Sequence, residues 1–256
     1  MQPLVSIITP TYNSEKFIAQ TILSLQDQTY QNWEMIIVDD CSSDATQKIV
    51  AEFCAIDPRI KYHKLDENSG AGIARNYAMN IAMGRYFAFL DSDDLWKPLK
   101  LEKQLAFLIS NNLPFTFCFY DCIDEDGKSL HKRVEAPKSL SYRQLFFCNY
   151  VGNLTAIYDV NYFGKIAISN IRKRQDWILW LTILKQIKTA TPIAESLAIY
   201  RIRRNSVSSS KWSLLQHNYA VYRSYHKLNV IESGFCMLGF LFTQLLIKPR
   251  YKKITA

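Results

Sequence analysis

The sequence has little of what marks fibrous or disordered chains, with only 8 glycines and 8 prolines in 256 residues and no biased tract. None of its 6 cysteines forms a C-x-x-C pair, and its 4 histidines offer no clustered partners, which excludes the usual structural zinc sites. The first residues also lack the basic start of a secretory signal. We therefore expect reduced cysteines packed in a cytoplasmic protein.

Long apolar runs are absent as well, since none reaches the roughly 20 residues that a membrane-spanning helix needs. The nearest is 235–247, which Thr243 and Gln244 interrupt, and we do not expect it to cross a bilayer. A basic end follows it, formed by Lys248, Arg250, Lys252 and Lys253. The tail therefore fits either a segment lying on anionic lipid at the cytoplasmic face or a helix that packs on the protein or in a dimer.

Charge is unevenly distributed along the chain. The net charge is +8, but residues 1–128 contain 11 basic and 18 acidic residues, whereas residues 129–256 contain 20 basic and 5 acidic ones. With 48% hydrophobic residues the chain can still bury a sizeable core. This asymmetry predicts carboxylates on one side and an anion-attracting surface on the other.

Strand-like and helical patterns alternate regularly in the first half. This alternation predicts right-handed βαβ units and an α/β fold with a mostly parallel sheet. We predict a helix that Ser14 caps, another from about Asp44, and a third that Gly84 terminates. The predicted strands are Val5–Thr9 (ended by Pro10), Met35–Val38, Ile60–Leu65 and Tyr86–Leu90.

Polar residues follow all four predicted strands. In parallel sheets the ligand binds beyond the carboxyl ends of the strands, so these residues should converge on one crevice. One such residue could merely turn the chain or cap a helix, but four consecutive strand ends indicate a site. The residues are Thr9, Tyr12, Asn13, Asp39, Asp40, Asn68, Asp91 and Asp93.

The segment after the fourth strand places two carboxylates one residue apart, at Asp91 and Asp93. Carboxylates in this spacing can share a hard divalent cation, or divide between a cation and a sugar hydroxyl. Mg²⁺ or Mn²⁺ held by one or two carboxylates typically completes its shell with phosphate oxygens and water. We therefore expect a divalent cation to act with a phosphorylated ligand.

Several segments, in order and spacing, resemble glycosyltransferase family 2. These are Thr9–Asn13, Val38–Asp44, Asn68-x-Gly70 with Ala74–Asn76, and Leu90–Asp94, followed more loosely by Gln175–Trp177 and by Tyr200-Arg201 with Asn205, Ser206 and Ser208. The resemblance implies a GT-A fold, Rossmann-like, with helices flanking the sheet and a helical C-terminal extension. It also implies an inverting, nucleotide-sugar-dependent hexosyl- or N-acetylhexosaminyltransferase of the bacterial surface-polysaccharide type.

The resemblance further assigns donor-binding roles to residues of the first half. Thr9, Tyr12 and Asp40 would hold the nucleobase, with Asp40 accepting the imide N–H of a uracil. Arg75 would approach the diphosphate or the sugar. Asp91 would contact the ribose or the metal, and Asp93 would bind the metal that bridges both phosphates. Asn13, Asn68 and Gly70 are assigned to the same nucleotide-sugar site.

Asp176 is the predicted general base, because an inverting transfer needs a carboxylate to take the proton of the acceptor hydroxyl. The family usually has Glu-Asp here, whereas this chain has Gln175-Asp176 and so keeps the aspartate but loses the neighbouring charge. The ordinary alternative is an acid at a helix N-terminus that interacts with the helix dipole. The scarcity of aspartate in the basic half favours the catalytic role.

Arg201, Arg203 and Arg204 come before the second matching segment of the basic half. Relatives often have a metal-binding histidine where Arg203 stands, and arginine cannot ligate a metal. We therefore predict that Asp93, phosphates and water hold the cation while the arginines bind the diphosphate directly. A solvated basic loop is the alternative for each of the three.

Other classes fit less well. A nucleotidyltransferase needs a glycine-rich loop after the first strand, and 5–13 contains no glycine. A dinucleotide-binding motif fails because the nearest glycine pair, Gly70 and Gly72, follows the third strand instead. No nucleic-acid-binding motif is present, so we expect no nucleic-acid partner.

The sequence thus predicts transfer of a sugar from a nucleoside-diphosphate sugar, with a lean to UDP, to a glycan or lipid-linked glycan hydroxyl. The rival function is a non-catalytic scaffold that binds sugar nucleotides. We predict a donor-binding half at 1–128, an acceptor-binding half at 129–210 and a basic helical extension at 211–256, with peripheral contact to an anionic membrane.

Overall fold

The structure is a computed structural model that describes residues 2–169, 171, 173–203 and 211–255, without the side chains of 211–214. Arg204 and the predicted polar loop that includes Asn205, Ser206 and Ser208 lie outside the described residues. The α-helices are α1 (Ile18–Gln26), α2 (Thr46–Ile56), α3 (Ala71–Ile81), α4 (Lys100–Ser110), α5 (Tyr142–Phe147), α6 (Val160–Phe163), α7 (Gln175–Ile187), α8 (Lys211–Ala220) and α9 (Val230–Phe242).

The strands fall into three sheets. They are β1 (Val5–Thr11), β2 (Trp33–Asp39), β3 (Ile60–Lys64), β4 (Tyr86–Phe89), β5 (Leu95–Trp96), β6 (Phe115–Thr116), β7 (Cys118–Ile123), β8 (Ser129–Val134), β9 (Leu140–Ser141), β10 (Ile157–Asp159), β11 (Thr189–Ala190), β12 (Ile193–Arg201) and β13 (Lys252–Ile254). The central sheet has the order β3-β2-β1-β4-β10-β6, the second sheet β13-β8-β7-β12-β5, and β9 pairs with β11.

The central sheet is parallel from β3 to β4, as the alternation predicts, and β10 and β6 extend it in antiparallel pairing. The chain leaves β1 towards β2 and β3, then returns to pair β4 on the other side of β1. This reversal of strand order opens a crevice at the carboxyl ends of β1 and β4. The predicted α/β fold class is confirmed.

Every residue of β1 and β2 is buried, because helices cover both faces of the sheet. On one face Ile8, Ile36 and Phe89 pack with α3 and α7, and Phe89 meets the ring of Trp180 at 5.6 Å. On the other face the alternate residues, such as Ile7, pack with α1, α2 and α4. This packing fixes the strand ends on which the crevice depends.

Two predicted helix boundaries are wrong. Ser14 does not cap α1 with its side chain. Its hydroxyl instead forms a hydrogen bond of 2.8 Å with the hydroxyl of Ser92, which lies in the turn after β4. Gly84 does not end α3, which stops at Ile81. A Cβ on Gly84 would lie 2.6 Å from the Ser6 backbone nitrogen, so this glycine permits close approach to β1.

The helical path that begins with α9 continues through 243–247 and 248–251, which makes a 22-residue helix that we call the C-terminal helix (Val230–Tyr251). Its most apolar stretch has a mean hydropathy of 1.8, so by length and composition it could cross a bilayer. One face nevertheless packs on the protein, where Phe240 meets the ring of Trp177 at 6.0 Å and Gly239 leaves room for Phe147.

Candidate active site

A cavity of about 660 Å³ opens at the carboxyl ends of β1, β2 and β4. Its walls come from the turns after these strands, from α3, from residues 149–154, from the start of α7 and from the end of β12. The C-terminal helix adds Lys248 to the wall. The cavity therefore combines the acidic first half of the chain with the basic second half.

Asp91 lies at the centre of a polar network in this cavity. Its Oδ1 accepts hydrogen bonds from Arg75 Nη2 at 2.6 Å and from Asn153 Nδ2 at 3.1 Å. Arg75 also donates from Nη1 to Gln175 Oε1 at 2.9 Å. A Cβ at Gly72 would lie 2.3 Å from the Gln175 amide, so the glycine is what lets Gln175 reach over α3 to Arg75.

Asp93 forms an ion pair with Arg203, whose Nε lies 2.8 Å from Asp93 Oδ2. Burial raises the pKa of Asp93, and Asp91 adds to the rise while Arg203 opposes it. Asp94, fully buried behind it, has a pKa raised well above its usual value by burial and then by repulsion from Asp93 and Asp91. The turn after β4 thus concentrates carboxylates that favour a nearby cation.

Arg201 holds this turn in place from β12. Its side chain is buried and donates to the Asp93 carbonyl at 2.9 Å, the Glu125 carbonyl at 3.0 Å and Gln20 Oε1 at 2.6 Å. Its backbone amide donates to Asp94 Oδ1 at 2.9 Å. Arg201 lines the cavity, but its guanidinium already bonds protein acceptors, whereas Arg203 pairs with the carboxylate of Asp93.

Asp40 is buried after β2, where its two carboxylate oxygens accept the backbone N–H groups of Ser69 at 2.7 Å and Gly70 at 2.8 Å. Gly70 has φ +93°, a conformation that glycine adopts without strain. A carboxylate oxygen can accept two hydrogen bonds, and each Asp40 oxygen here accepts one, so both can still accept a bond from a ligand. Asp40 and the half-exposed Tyr12 both line the cavity.

The remaining predicted donor-site residues do not line the cavity. Thr9 is fully buried within β1 and does not line the cavity. Asn13 accepts the Ser43 N–H at 2.9 Å and thereby ties the loop after β1 to the loop after β2. Asn68 donates to the Asp40 carbonyl at 3.1 Å. The roles of these residues and of Gly70 in donor binding stay predictions.

Asp176 lies in the first turn of α7 and faces the cavity. Asn149 Nδ2 donates to Asp176 Oδ2 at 2.8 Å and fixes its orientation. Arg174, directly before the helix, is in the left-handed conformation with φ 70°, and its Nε donates to the buried Asn218 at 2.6 Å. The carboxylate is thus positioned on the same cavity as Asp91 and Asp93.

The model of the family described as glycosyl transferase family 2 matches residues 6–163. The chain belongs to glycosyltransferase family 2. It is therefore an enzyme of the glycosyltransferase class with a GT-A fold, and both predictions are confirmed.

Relatives within the family match nearly the whole chain. A protein named for teichuronic acid biosynthesis, TuaG of Bacillus subtilis, is 45% identical over 239 residues, covering 93% of this chain and 95% of that one. WfgD of Escherichia coli is 37% identical over 241 residues, covering 90% and 93%, and is named a UDP-Glc:α-D-GlcNAc-diphosphoundecaprenol β-1,3-glucosyltransferase.

The fold resembles that of TarS residues 1–349 from S. aureus, solved with UDP-GlcNAc. The TM-score is 0.68 at 20% identity, covering 95% of this chain and 73% of that one. At this identity the likeness concerns the fold alone. This fold likeness includes the second half of the chain, beyond residue 163.

The candidate metal-ligand atoms of this family-2 enzyme fit a divalent cation that the protein and a substrate hold together. Across residues 2–169, 171, 173–203 and 211–255, no group of three or more His, Cys, Asp or Glu side chains could hold a metal by itself. Asp91 and Asp93 supply carboxylate oxygens, the ligands that Mg²⁺ and Mn²⁺ prefer. Substrate phosphates would have to complete the shell.

Sequence reasoning missed several residues of the site. Asn149 and Asn153 hold Asp176 and Asp91, but isolated asparagines give no signal in a sequence. Lys248 belongs to the basic end for which the sequence leaves lipid contact and packing on the protein open, and the structure shows packing on the protein at this residue. Its ammonium points into the cavity and donates to the Asn149 carbonyl at 2.8 Å.

Proposed function

We propose that this glycosyltransferase moves a sugar from a UDP-sugar to a hydroxyl of a glycan or lipid-linked glycan, with inversion at the anomeric carbon. One observation carries the proposal: an oriented carboxylate at Asp176 shares a single cavity with the acidic turn of Asp91 and Asp93. The names of two similar proteins support the donor class, since WfgD uses UDP-Glc and TarS was solved with UDP-GlcNAc.

The donor would lie along the turn after β4. Tyr12 would offer an aromatic face to the nucleobase, and Asp40 an acceptor for the imide N–H. Arg75 and Arg203 would approach the diphosphate, since each guanidinium already faces a carboxylate in the cavity. Arg201 would act as a positioning residue, because its bonds hold the Asp93–Asp94 turn rather than face a ligand.

Asp176 would take the proton of the acceptor hydroxyl as the oxygen attacks the anomeric carbon from the face opposite the diphosphate. Asn149 donates to Oδ2 of Asp176 and so keeps the other carboxylate oxygen oriented towards the acceptor hydroxyl. A divalent cation at Asp93 and Asp91 would stabilise the charge on the departing nucleoside diphosphate. Gln175, being neutral, leaves the positive charge of Arg75 to Asp91 and the donor.

The product would belong to a bacterial surface polysaccharide. TuaG is named for teichuronic acid biosynthesis, and the acceptor in the name of WfgD is linked to diphosphoundecaprenol. Both relatives align over at least 90% of this chain, which includes the acceptor side of the cavity. A lipid-linked acceptor would also place the enzyme at the cytoplasmic face of a membrane.

A panel of nucleotide sugars tests the proposal directly. We expect one UDP-sugar to raise the melting temperature more than its GDP and ADP counterparts, and to be hydrolysed slowly only when Mn²⁺ or Mg²⁺ is present. Thermal shift and UDP release are the two measurements. Donor binding without any turnover, with or without acceptor, would instead indicate a sugar-nucleotide-binding scaffold.

We also propose that the C-terminal helix rests on the membrane surface. Its outer face exposes a stripe of large apolar side chains next to the exposed basic residues Arg250, Lys252 and Lys253. The stripe consists of Ile231, Phe235, Leu238, Phe242, Leu245 and Leu246, each more than half exposed. An apolar stripe with a basic end suits an anionic bilayer.

Replacing Phe235, Leu238 and Leu245 together with serine should reduce binding to phosphatidylglycerol vesicles at least about tenfold, because the lost insertion exceeds 1.4 kcal/mol. Co-sedimentation measures it, and the matched control replaces Ile56, Met83 and Ile109, exposed apolar residues away from the stripe. Wild-type protein that ignores the vesicles would refute the surface contact. Protein that stays in the membrane fraction after an alkaline wash would instead indicate that the C-terminal helix spans the bilayer.

A further inference from the structure

Two cations on the Asp176 side of the cavity have no role in the donor site described above. Lys248 reaches the cavity from the C-terminal helix, and Arg174 reaches it from the residue before α7. Lys248 donates to the Asn149 carbonyl, and Asn149 donates to Asp176. Arg174 is the N-cap residue of α7, the helix whose first turn contains Asp176. Two positive charges thus flank the position where the acceptor hydroxyl must lie.

These charges are weakly compensated. Within the described parts of the chain, no carboxylate lies within 4.0 Å of the Lys248 ammonium or of the Arg174 guanidinium. Their side-chain hydrogen bonds run to neutral acceptors: Lys248 donates to the Asn149 carbonyl, and Arg174 donates to Asn218 Oδ1. Burial lowers the pKa of Lys248, and the nearby Arg174 adds to that effect, while Cys148 and Asp176 oppose it. Two like charges held close together in a partly buried wall are costly unless an anion is bound there.

The donor diphosphate does not explain them. Arg75 and Arg203 already face the turn of Asp91 and Asp93, where the cation and the donor diphosphate would lie. Lys248 and Arg174 instead stand next to the base, where the acceptor must enter. A second anion, belonging to the acceptor, is therefore the ligand that fits.

We propose that Lys248 and Arg174 form an anion subsite for the diphosphate of a polyprenyl-diphosphate-linked acceptor. The inference rests on the proposed function and deepens it by naming the acceptor class. On an acceptor of this class that carries a single sugar, the attacking hydroxyl and the anomeric diphosphate belong to one ring, so they are separated only by the width of that ring. A diphosphate beside Lys248 would then leave the hydroxyl of the same sugar at Asp176.

The position of Lys248 also connects this subsite with the lipid. The same C-terminal helix exposes its apolar stripe outward and directs Lys248 inward. A polyprenyl chain leaving the diphosphate would meet this helix as it passes towards the membrane. The arrangement selects acceptors with a diphosphate over neutral glycosides of the same sugar.

Binding of farnesyl diphosphate to the full chain, saturated with UDP and Mn²⁺ so that the donor site is filled, tests the subsite without knowledge of the sugar. Calorimetry should show farnesyl diphosphate binding more tightly than farnesyl monophosphate. Lys248→Met and Arg174→Gln should each weaken it roughly 10- to 100-fold, the value of a hydrogen bond to a charged group. Lys248→Arg should retain most of the affinity, and Lys185→Met, an exposed lysine of α7, should retain all of it.

Equal affinity of wild type and both variants for farnesyl diphosphate, or no binding by wild type, would overturn the proposal. A parallel loss of UDP affinity in Lys248→Met and Arg174→Gln would assign these cations to the donor and would overturn it as well. Sugar transfer to a neutral glycoside by the wild-type enzyme distinguishes failure of the anion subsite from failure of the proposed function. If this transfer occurs although farnesyl diphosphate does not bind, only the subsite is refuted. That reaction needs Asp176 and the donor, and we expect Lys185→Met and wild type to perform it equally well.

Discussion

Asparagine in place of Asp176 is expected to lower kcat by roughly 10²–10⁴-fold while donor affinity stays unchanged. Asparagine keeps the size of the side chain and an oxygen that can accept the bond from Asn149, but it has no basicity to take the acceptor proton. Steady-state kinetics give kcat, and calorimetry with UDP and Mn²⁺ gives the affinity. An inverted anomer in the wild-type product, seen by proton NMR, supports direct displacement.

The control for this variant is Asp27→Asn, which removes an exposed carboxylate at the end of α1, away from the cavity. It should leave both kcat and donor affinity as in wild type. If UDP affinity fell together with kcat in Asp176→Asn, Asp176 would be a binding or structural residue. The same conclusion would follow if only the melting temperature changed, since an acid in the first turn stabilises a helix by its charge alone.

Alanine in place of Asp93 should abolish the metal dependence of donor binding and lower turnover roughly 10³-fold or more. A Lewis-acidic cation contributes several kcal/mol to transition-state stabilisation, and each 1.4 kcal/mol is about tenfold in rate. Titration of UDP with and without Mn²⁺ measures the first effect, and initial rates measure the second. The folded state should survive, because the change relieves repulsion between Asp93 and its buried neighbour Asp94.

The variant also releases Arg203 from its ion pair, which could strengthen metal-free binding of UDP. The double variant Asp93→Ala and Arg203→Gln separates the two effects, since it removes both partners. We expect the double variant to lose turnover as Asp93→Ala does, and to bind UDP more weakly than Asp93→Ala. Full activity of the wild-type enzyme in excess chelator would show that the Asp-x-Asp turn does not act through a metal.

The strand ends were predictable because the carboxyl ends of parallel strands meet at one edge. This argument brought Tyr12, Asp40, Asp91 and Asp93 to one cavity, as the structure places them. Thr9, Asn13 and Asn68, which the same argument places at the crevice, do not line the cavity. At Thr9 the strand has not yet ended, because β1 continues past Pro10 to Thr11.

The continuation past Pro10 has a local cause. Pairing of β1 with β4 ends at Ile8, whereas pairing with β2 continues to Thr11. Ile8 bonds towards β4, since its carbonyl accepts the Leu90 N–H, and Pro10 two residues on faces the same side. The N–H that Pro10 lacks therefore has no strand to meet, and the proline is tolerated as on an edge.

The acceptor side was less predictable because its residues come together only through long-range packing. Asp176 was found because an acid opening a helix in a basic half is conspicuous, but Asn149 and Lys248 gave no local signal. Lys248 follows an apolar run and resembles the basic end of a membrane segment. In the structure Gln244 contacts Cys148, and Lys248, one helical turn later, lies on the same face of the C-terminal helix. This face directs the Lys248 ammonium into the cavity.

The long reach of Arg201 constrains how the enzyme can assemble during synthesis. The Asp91–Asp94 turn emerges early, yet its partner Arg201 follows 108 residues after Asp93. Until β12 is made, the acidic turn has neither Arg201 nor Arg203 to offset repulsion among its carboxylates. In a fragment that ends before β12, the acidic turn should therefore remain unstructured. In the full chain the donor site should form late in folding, because it depends on contacts between residues far apart in sequence.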